Sequence, residues 1–104
     1  MRRGEIRWYR FSKPDKRRPV LILTRDSIIS SLGEVTVAPL TTRIRYIPSE
    51  VVLSKDDGPP RECAVNCDHL QTVPRSRLGA PVASLSPQKM EQVAEAVRFA
   101  LALG

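Results

Sequence analysis

Few residues in this 104-residue chain are equipped for chemistry, and their spacing narrows them further. Cys63, Cys67, Asp68 and His69 stand close together and are donor types that zinc takes. Both cysteines, however, fall in a stretch that reads as one strand, residues 62–67. Four residues of strand separate their α-carbons by roughly 13 Å, whereas a disulfide needs them within about 7 Å. A shared metal is no better served, and no second histidine is present. Two small buried or half-buried thiols are expected, with no metal site and no cofactor. His69 stands alone as a histidine general base. No glycine-rich phosphate loop or G-x-S-x-G turn occurs. The acids lie in loops or on the C-terminal helix, and nothing singles out a catalytic pair.

A set of cations and hydroxyls remains. Lys16, Arg17 and Arg18 stand at the mouth of an apolar run, and Thr41, Thr42 and Arg43 stand just past the end of another. Both are places where a loop meets a rigid element, where sites are commonly held. Arginine matches a phosphate through two parallel hydrogen bonds. Guanidinium with threonine hydroxyls is therefore a set suited to a phosphodiester.

Short strands must position that set. Prolines and glycines punctuate the chain at the spacing of strands joined by turns. Residues 5–11 alternate, with Ile6 and Trp8 expected toward a core and Arg7 and Tyr9 on the other side. Residues 12–17 read as a charged loop. Residues 19–24 form a continuous apolar run, expected as a strand buried on both faces and opened by Pro19. Residues 26–32 suggest a helical turn ended by Gly33, residues 34–40 and 48–53 two further strands, and residues 55–61 a loop. Residues 68–79 read as turn and connection, and residues 81–85 as a last strand. Ser86 and Pro87 then open a helix of about four turns, whose apolar face is Met90, Val93, Ala94, Val97, Ala100 and Leu101. The expected class is α+β, mainly β: one domain over residues 1–104, a small barrel-like sheet with a helix laid on it.

The net charge is +6, and residues 1–18 carry all of it. A localised basic excess points to an anionic partner, most often nucleic acid. No apolar run reaches the ~18 residues of a membrane span, and no signal peptide is legible. A soluble cytoplasmic protein is expected. A core this small is marginal, and an apolar tail of Phe99, Leu101 and Leu103 suits a dimer contact.

Four segments together resemble the MazF/PemK family of toxins from bacterial toxin–antitoxin pairs. They are Gly4-Glu5-Ile6, Lys16-Arg17-Arg18-Pro19-Val20-Leu21-Ile22-Leu23, Val37-Ala38-Pro39-Leu40-Thr41-Thr42 and Asp68-His69-Leu70-Gln71-Thr72-Val73. The resemblance implies an SH3-like barrel of twisted antiparallel strands, a homodimer and a metal-independent endoribonuclease. Such an enzyme cuts single-stranded RNA (mRNA, rRNA or tRNA) at short sequences and leaves a 2′,3′-cyclic phosphate and a 5′-hydroxyl. It also implies an acidic, MazE-like antitoxin lying in the RNA groove. Arg18 and Thr41 fall on the catalytic positions, Arg3 on an RNA contact, and Asp68 and His69 on base-reading positions. Lys16, Arg17, Thr42, Arg43 and Gln71 complete the expected RNA-binding set. His69 replaces the usual glutamine and Gln71 a common arginine, so base preference departs from the family pattern. The alternatives are a CcdB-like toxin that binds a topoisomerase without cutting RNA, and a catalytically idle RNA-binding barrel.

Overall fold

The computed structural model describes residues 1–10 and 17–104. Lys16, and with it most of the expected loop and the end of the first strand, lies outside the described residues. The elements are β1 (Glu5–Arg10), β2 (Arg17–Ile22), α1 (Asp26–Ile29), β3 (Glu34–Thr41), β4 (Glu50–Leu53), β5 (Cys63–Asn66), β6 (Gln71–Pro74), β7 (Leu78–Ser84) and α2 (Pro87–Ala100). Single 3-10 turns occupy Lys55–Asp57 and Arg75–Arg77.

All strand pairings are antiparallel, in the order β4-β5-β3-β2-β1-β7. β3 is the hub. It takes β2 through Val20↔Pro39 to Ile22↔Val37, β6 through Glu34↔Pro74 to Val37↔Gln71, and β5 through Leu40↔Val65 and Thr41↔Ala64. No ladder joins β4 to β7, so the barrel-like sheet stays open among the described residues.

Strands β2 and β3 are buried on both faces, as a continuous apolar run demands. Leu21, Ala38 and Leu40 join Ile6, Leu53, Val65 and the helical Val93 and Ala96 in one core. Val20, Ile22, Val35 and Val37 join Tyr9, Ile29 and Val73 in another on the opposite face. β1 departs from the expected facing of Trp8 and Tyr9. Tyr9 is buried in that second core, while Trp8 is only half-buried. The side opposite Ile6 is thus a second interior rather than a solvent face.

Several boundaries also differ from expectation, and β4 begins at Glu50 rather than at residue 48. Residues 71–74 are a strand, not turn: Val73 is buried and pairs with Val35. With one buried residue among four, β6 has no alternation to read, and its long-range pairing decides it. β7 begins at Leu78, with Pro81 opposite Arg7. Proline is tolerated there because β7 is an edge strand and its register with β1 is irregular on both sides of Arg7. β2 begins at Arg17, two residues before Pro19, where only β1 is paired with it.

Helix α2 starts where expected, with the Ser86 hydroxyl accepting from the Lys89 N–H at 3.1 Å and Pro87 opening the first turn. Val93 and Ala96 are its buried residues. Leu101 remains exposed, as do Phe99 and Leu103.

Candidate active site

Register brings the expected catalytic pair together. Arg18 lies opposite Tyr9 on β2, and Val20 lies opposite Pro39. Continued by two residues, that alignment sets Arg18 level with Thr41 at the end of β3. Both side chains line one cleft of about 400 Å³, together with Trp8, Thr42, Arg61 and Cys63. Thr41 accepts a hydrogen bond from the Arg43 backbone N–H at 3.1 Å. That contact uses a lone pair of the hydroxyl and leaves its proton free to be donated.

The far wall is the Pro59-Pro60-Arg61 segment, and its placement is built locally. The Ser54 N–H donates to Asp57 Oδ2 at 2.9 Å, and the Asp56 N–H donates to the Ser54 hydroxyl at 3.2 Å. Lys89 of α2 lies 3.8 Å from the Asp57 carboxylate and donates to the Val52 carbonyl at 3.2 Å. Gly58 then turns the chain at φ +116°, and a β-carbon there would stand 2.3 Å from that of Ala83. Only glycine meets both requirements.

Trp8 is shared with a second cleft of about 680 Å³, lined also by Arg10, Arg17, Arg77 and Gly79. The Arg17 guanidinium stands 5.1 Å from the Trp8 ring centroid, within cation–π range. The two clefts share Trp8 as a wall and make a basic track of two parts, Arg18 and Arg61 lining one and Arg10, Arg17 and Arg77 the other. Among the described residues, no carboxylate lines either. Like-signed charges along a concave wall raise the local concentration of a polyanion.

Cys63 is the one sulfur in the track. Burial pushes its thiol up from the ordinary value, and the Asp57 and Glu62 carboxylates push the same way. The thiolate is the nucleophilic form, so Cys63 is a neutral wall at physiological pH. Cys67 is buried in the same core and pushed up to about 11, first by burial and then by Asp68 and Glu50. The described residues contain no group of three His, Cys, Asp or Glu able to hold a metal ion.

The remaining expected residues lie elsewhere. The Arg3 guanidinium donates to the Leu23 carbonyl and its backbone N–H to Asp26 Oδ1 at 2.7 Å. Arg3 lines a separate cavity of about 780 Å³ between the segment that follows β2, β3, β6 and α2. Asp68 and His69 sit on the turn joining β5 to β6, where Asp68 Oδ2 accepts from the Ser49 hydroxyl at 2.5 Å. Gln71 is exposed at the start of β6. Sequence reasoning missed Trp8, Arg10, Arg61 and Arg77 as lining residues. The i, i+2 spacing of Trp8 and Arg10 signals a shared face. Arg61 and Arg77 reach the track only through long-range folding and carry no local signal.

A family model described as PemK-like, MazF-like toxin of type II toxin-antitoxin system matches residues 2–101. The chain belongs to this family. Among curated members, the probable endoribonuclease MazF2 of Mycobacterium tuberculosis is 36% identical over 99 residues, 94% of this chain and 95% of that protein. The solved structure of Mycobacterium tuberculosis toxin MazF-mt6 superposes with a TM-score of 0.88 at 37% identity, covering 96% of this chain and 98% of the other. A mycobacterial endoribonuclease solved in complex with its cognate antitoxin superposes at 0.89 with 26% identity, over 100% of this chain and 97% of that one. The MazF-like fold thus accounts for the open antiparallel sheet and its C-terminal helix. No helix among the described residues is long and apolar enough to cross a membrane.

Proposed function

We propose that this MazF/PemK-family protein is an endoribonuclease toxin that cuts single-stranded RNA at the Arg18–Thr41 cleft. The observation that carries the reading is that Arg18 and Thr41, on neighbouring strands, line one cleft with no carboxylate among its described lining residues. A relative named as a probable endoribonuclease, matched along nearly its whole length, supports it.

The substrate supplies the nucleophile. The ribose 2′-oxygen attacks the adjacent phosphorus, the bond to the 5′-oxygen breaks, and the products are a 2′,3′-cyclic phosphate and a 5′-hydroxyl. The departing 5′-oxygen gains a proton, and the 2′-oxygen loses one to water in the open cleft. An arginine with a pKa above 12 is a poor base. Arg18 acts instead by donating to the non-bridging oxygens as charge grows on the phosphorane, and Thr41 adds one further donor. The arginines of both parts of the track hold the flanking strand. No metal is needed for any of these steps.

The protein works as a homodimer, with Phe99, Leu101 and Leu103 at the exposed end of α2 as the contact. The same positive track takes the acidic tail of a cognate antitoxin. Asp68, His69 and Gln71 read bases on the β5–β6 side.

Incubation of the purified protein with a long single-stranded RNA in EDTA, followed by end-group analysis, tests the reading. Discrete cuts with cyclic phosphate and 5′-hydroxyl ends are expected. Inhibition of a topoisomerase with the RNA left intact would overturn it.

A further inference from the structure

The loop between β3 and β4, residues 42–49, leaves the cleft at Thr41 and ends beside the Asp68 turn. It is fastened along its length. The Arg43 N–H donates to Thr41, and the Arg45 N–H donates to Glu50 Oε1 at 2.9 Å. The Glu50 N–H donates to the Ile47 carbonyl at 2.9 Å, and the Cys67 N–H to the Ser49 carbonyl at 3.0 Å. Ser49 and Glu50 are buried. On this fixed loop Tyr46 has φ +56°, a left-handed conformation rarely adopted by a large side chain. Tyr46 is 73% exposed, more than any other large hydrophobic residue described.

Two costs therefore coincide at one residue. The backbone is strained, and the ring is held in water with no packing gain to offset the strain. Glycine would remove both. Residues kept under such strain cluster at functional sites. The neighbours narrow the function: Arg43 and Arg45 are exposed, and neither forms an ion pair with a described carboxylate. An exposed aromatic ring beside exposed guanidiniums on one loop is the pattern of a single-strand platform, where bases stack and cations take the phosphates. Arginines alone would suffice for an acidic peptide. The ring is what a nucleobase adds a need for.

We propose that Tyr46 is a stacking platform for an unpaired RNA base on the Thr41 side of the cut phosphate, with Arg43 and Arg45 on the flanking phosphates. The platform rests on the ribonuclease reading above and deepens it. It makes Tyr46 a binding and specificity residue that takes no part in the bond-breaking step.

The test compares the wild-type protein with Tyr46→Gly and Tyr46→Phe. It measures kcat/KM and the cut-site profile on a long RNA, affinity for a 20-nucleotide single-stranded RNA by gel shift, and Tm. Stacking is worth about 1–3 kcal/mol per base, so Tyr46→Gly should lose roughly 5- to 150-fold in RNA affinity and kcat/KM. It should also relax the base preference at one position beside the cut. Its Tm should be unchanged or raised, because glycine accepts φ +56° freely. Tyr46→Phe keeps the ring and should restore affinity and preference. Wild-type kinetics and profile in Tyr46→Gly would overturn the platform, as would a loss of affinity that tracks a fall in Tm. If the wild-type protein cuts no RNA, the ribonuclease reading fails on its own. The gel shift then judges the platform separately: unchanged RNA affinity in Tyr46→Gly overturns it, and a loss restored by Tyr46→Phe supports it.

Discussion

Replacing Gly58 by alanine should damage the far wall of the cleft by two separable routes. The first is conformational: at φ +116° and ψ −23° an L-residue pays about 1–2 kcal/mol. The second is steric. The new methyl would stand 2.3 Å from the Ala83 β-carbon, where an ordinary contact is about 3.5–4 Å, so the loop or β7 must move. Forced overpacking of this kind costs about 1–3 kcal/mol. Together they predict a loss of about 3 kcal/mol, a large fraction of the 5–15 kcal/mol that holds a typical domain. At roughly 4–8 °C per kcal/mol for a domain of this size, Tm should fall by well over 10 °C. Ala83→Gly removes the clashing methyl at a cost of about 1 kcal/mol for glycine in a strand. The double variant then keeps the φ strain and the glycine cost and sheds the clash. It should be more stable than the sum of the single effects by about 1–3 kcal/mol. Urea denaturation of the four proteins measures the cycle. Additivity within about 0.5 kcal/mol would refute the contact.

Two further perturbations separate chemistry from packing. Thr41→Val removes the hydroxyl proposed to face the phosphate, so kcat/KM for RNA should fall about 10-fold or more while Thr41→Ser stays near wild type. Stability should change by less than about 0.5 kcal/mol, since the Arg43 N–H is exposed and water can replace the lost acceptor. Cys67 makes the fold sensitive to alkali: its thiol is held near 11 in the folded protein, against 9.0 for a free thiol. The folded state therefore keeps a proton that the unfolded chain releases, and stability falls as pH rises from about 9 toward 11. Urea midpoints between pH 8 and pH 10.5 should show this decline, and Cys67→Ala should flatten it.

What could be read from sequence followed the physical range of each signal. The run from Val20 to Leu23 has no polar alternation, and it is buried on both faces as such a run must be. Ser86-Pro87 marks the start of α2 through local hydrogen bonding alone. β6 was not legible, because four residues with one buried valine acquire strand character only by pairing with β3, more than thirty residues away. The same limit applied to the site. Arg18 and Thr41 stand at strand ends, and the order of strands makes them neighbours. Arg3 belongs to the same basic segment by sequence, yet β1 and β2 run antiparallel and carry it to the opposite end of the ladder, beside Leu23. The basic excess also divides. Arg7 is paired with Glu5 at 2.9 Å, whereas Arg10, Arg17 and Arg18 face the track. Tyr46 was silent in sequence because its strain is visible only in φ.

The most direct test of the central claim is cleavage of single-stranded RNA by Arg18→Ala, beside Arg7→Ala as a control that removes a charge outside the track. Loss of a preorganised donor to a developing oxyanion is worth about 10²–10³ in rate. Arg18→Ala should lose at least that much kcat in EDTA while keeping the wild-type far-ultraviolet circular dichroism, and Arg7→Ala should stay within several-fold of wild type. Full cleavage by Arg18→Ala, or equal losses in the two variants, would contradict the assignment of the chemistry to this cleft.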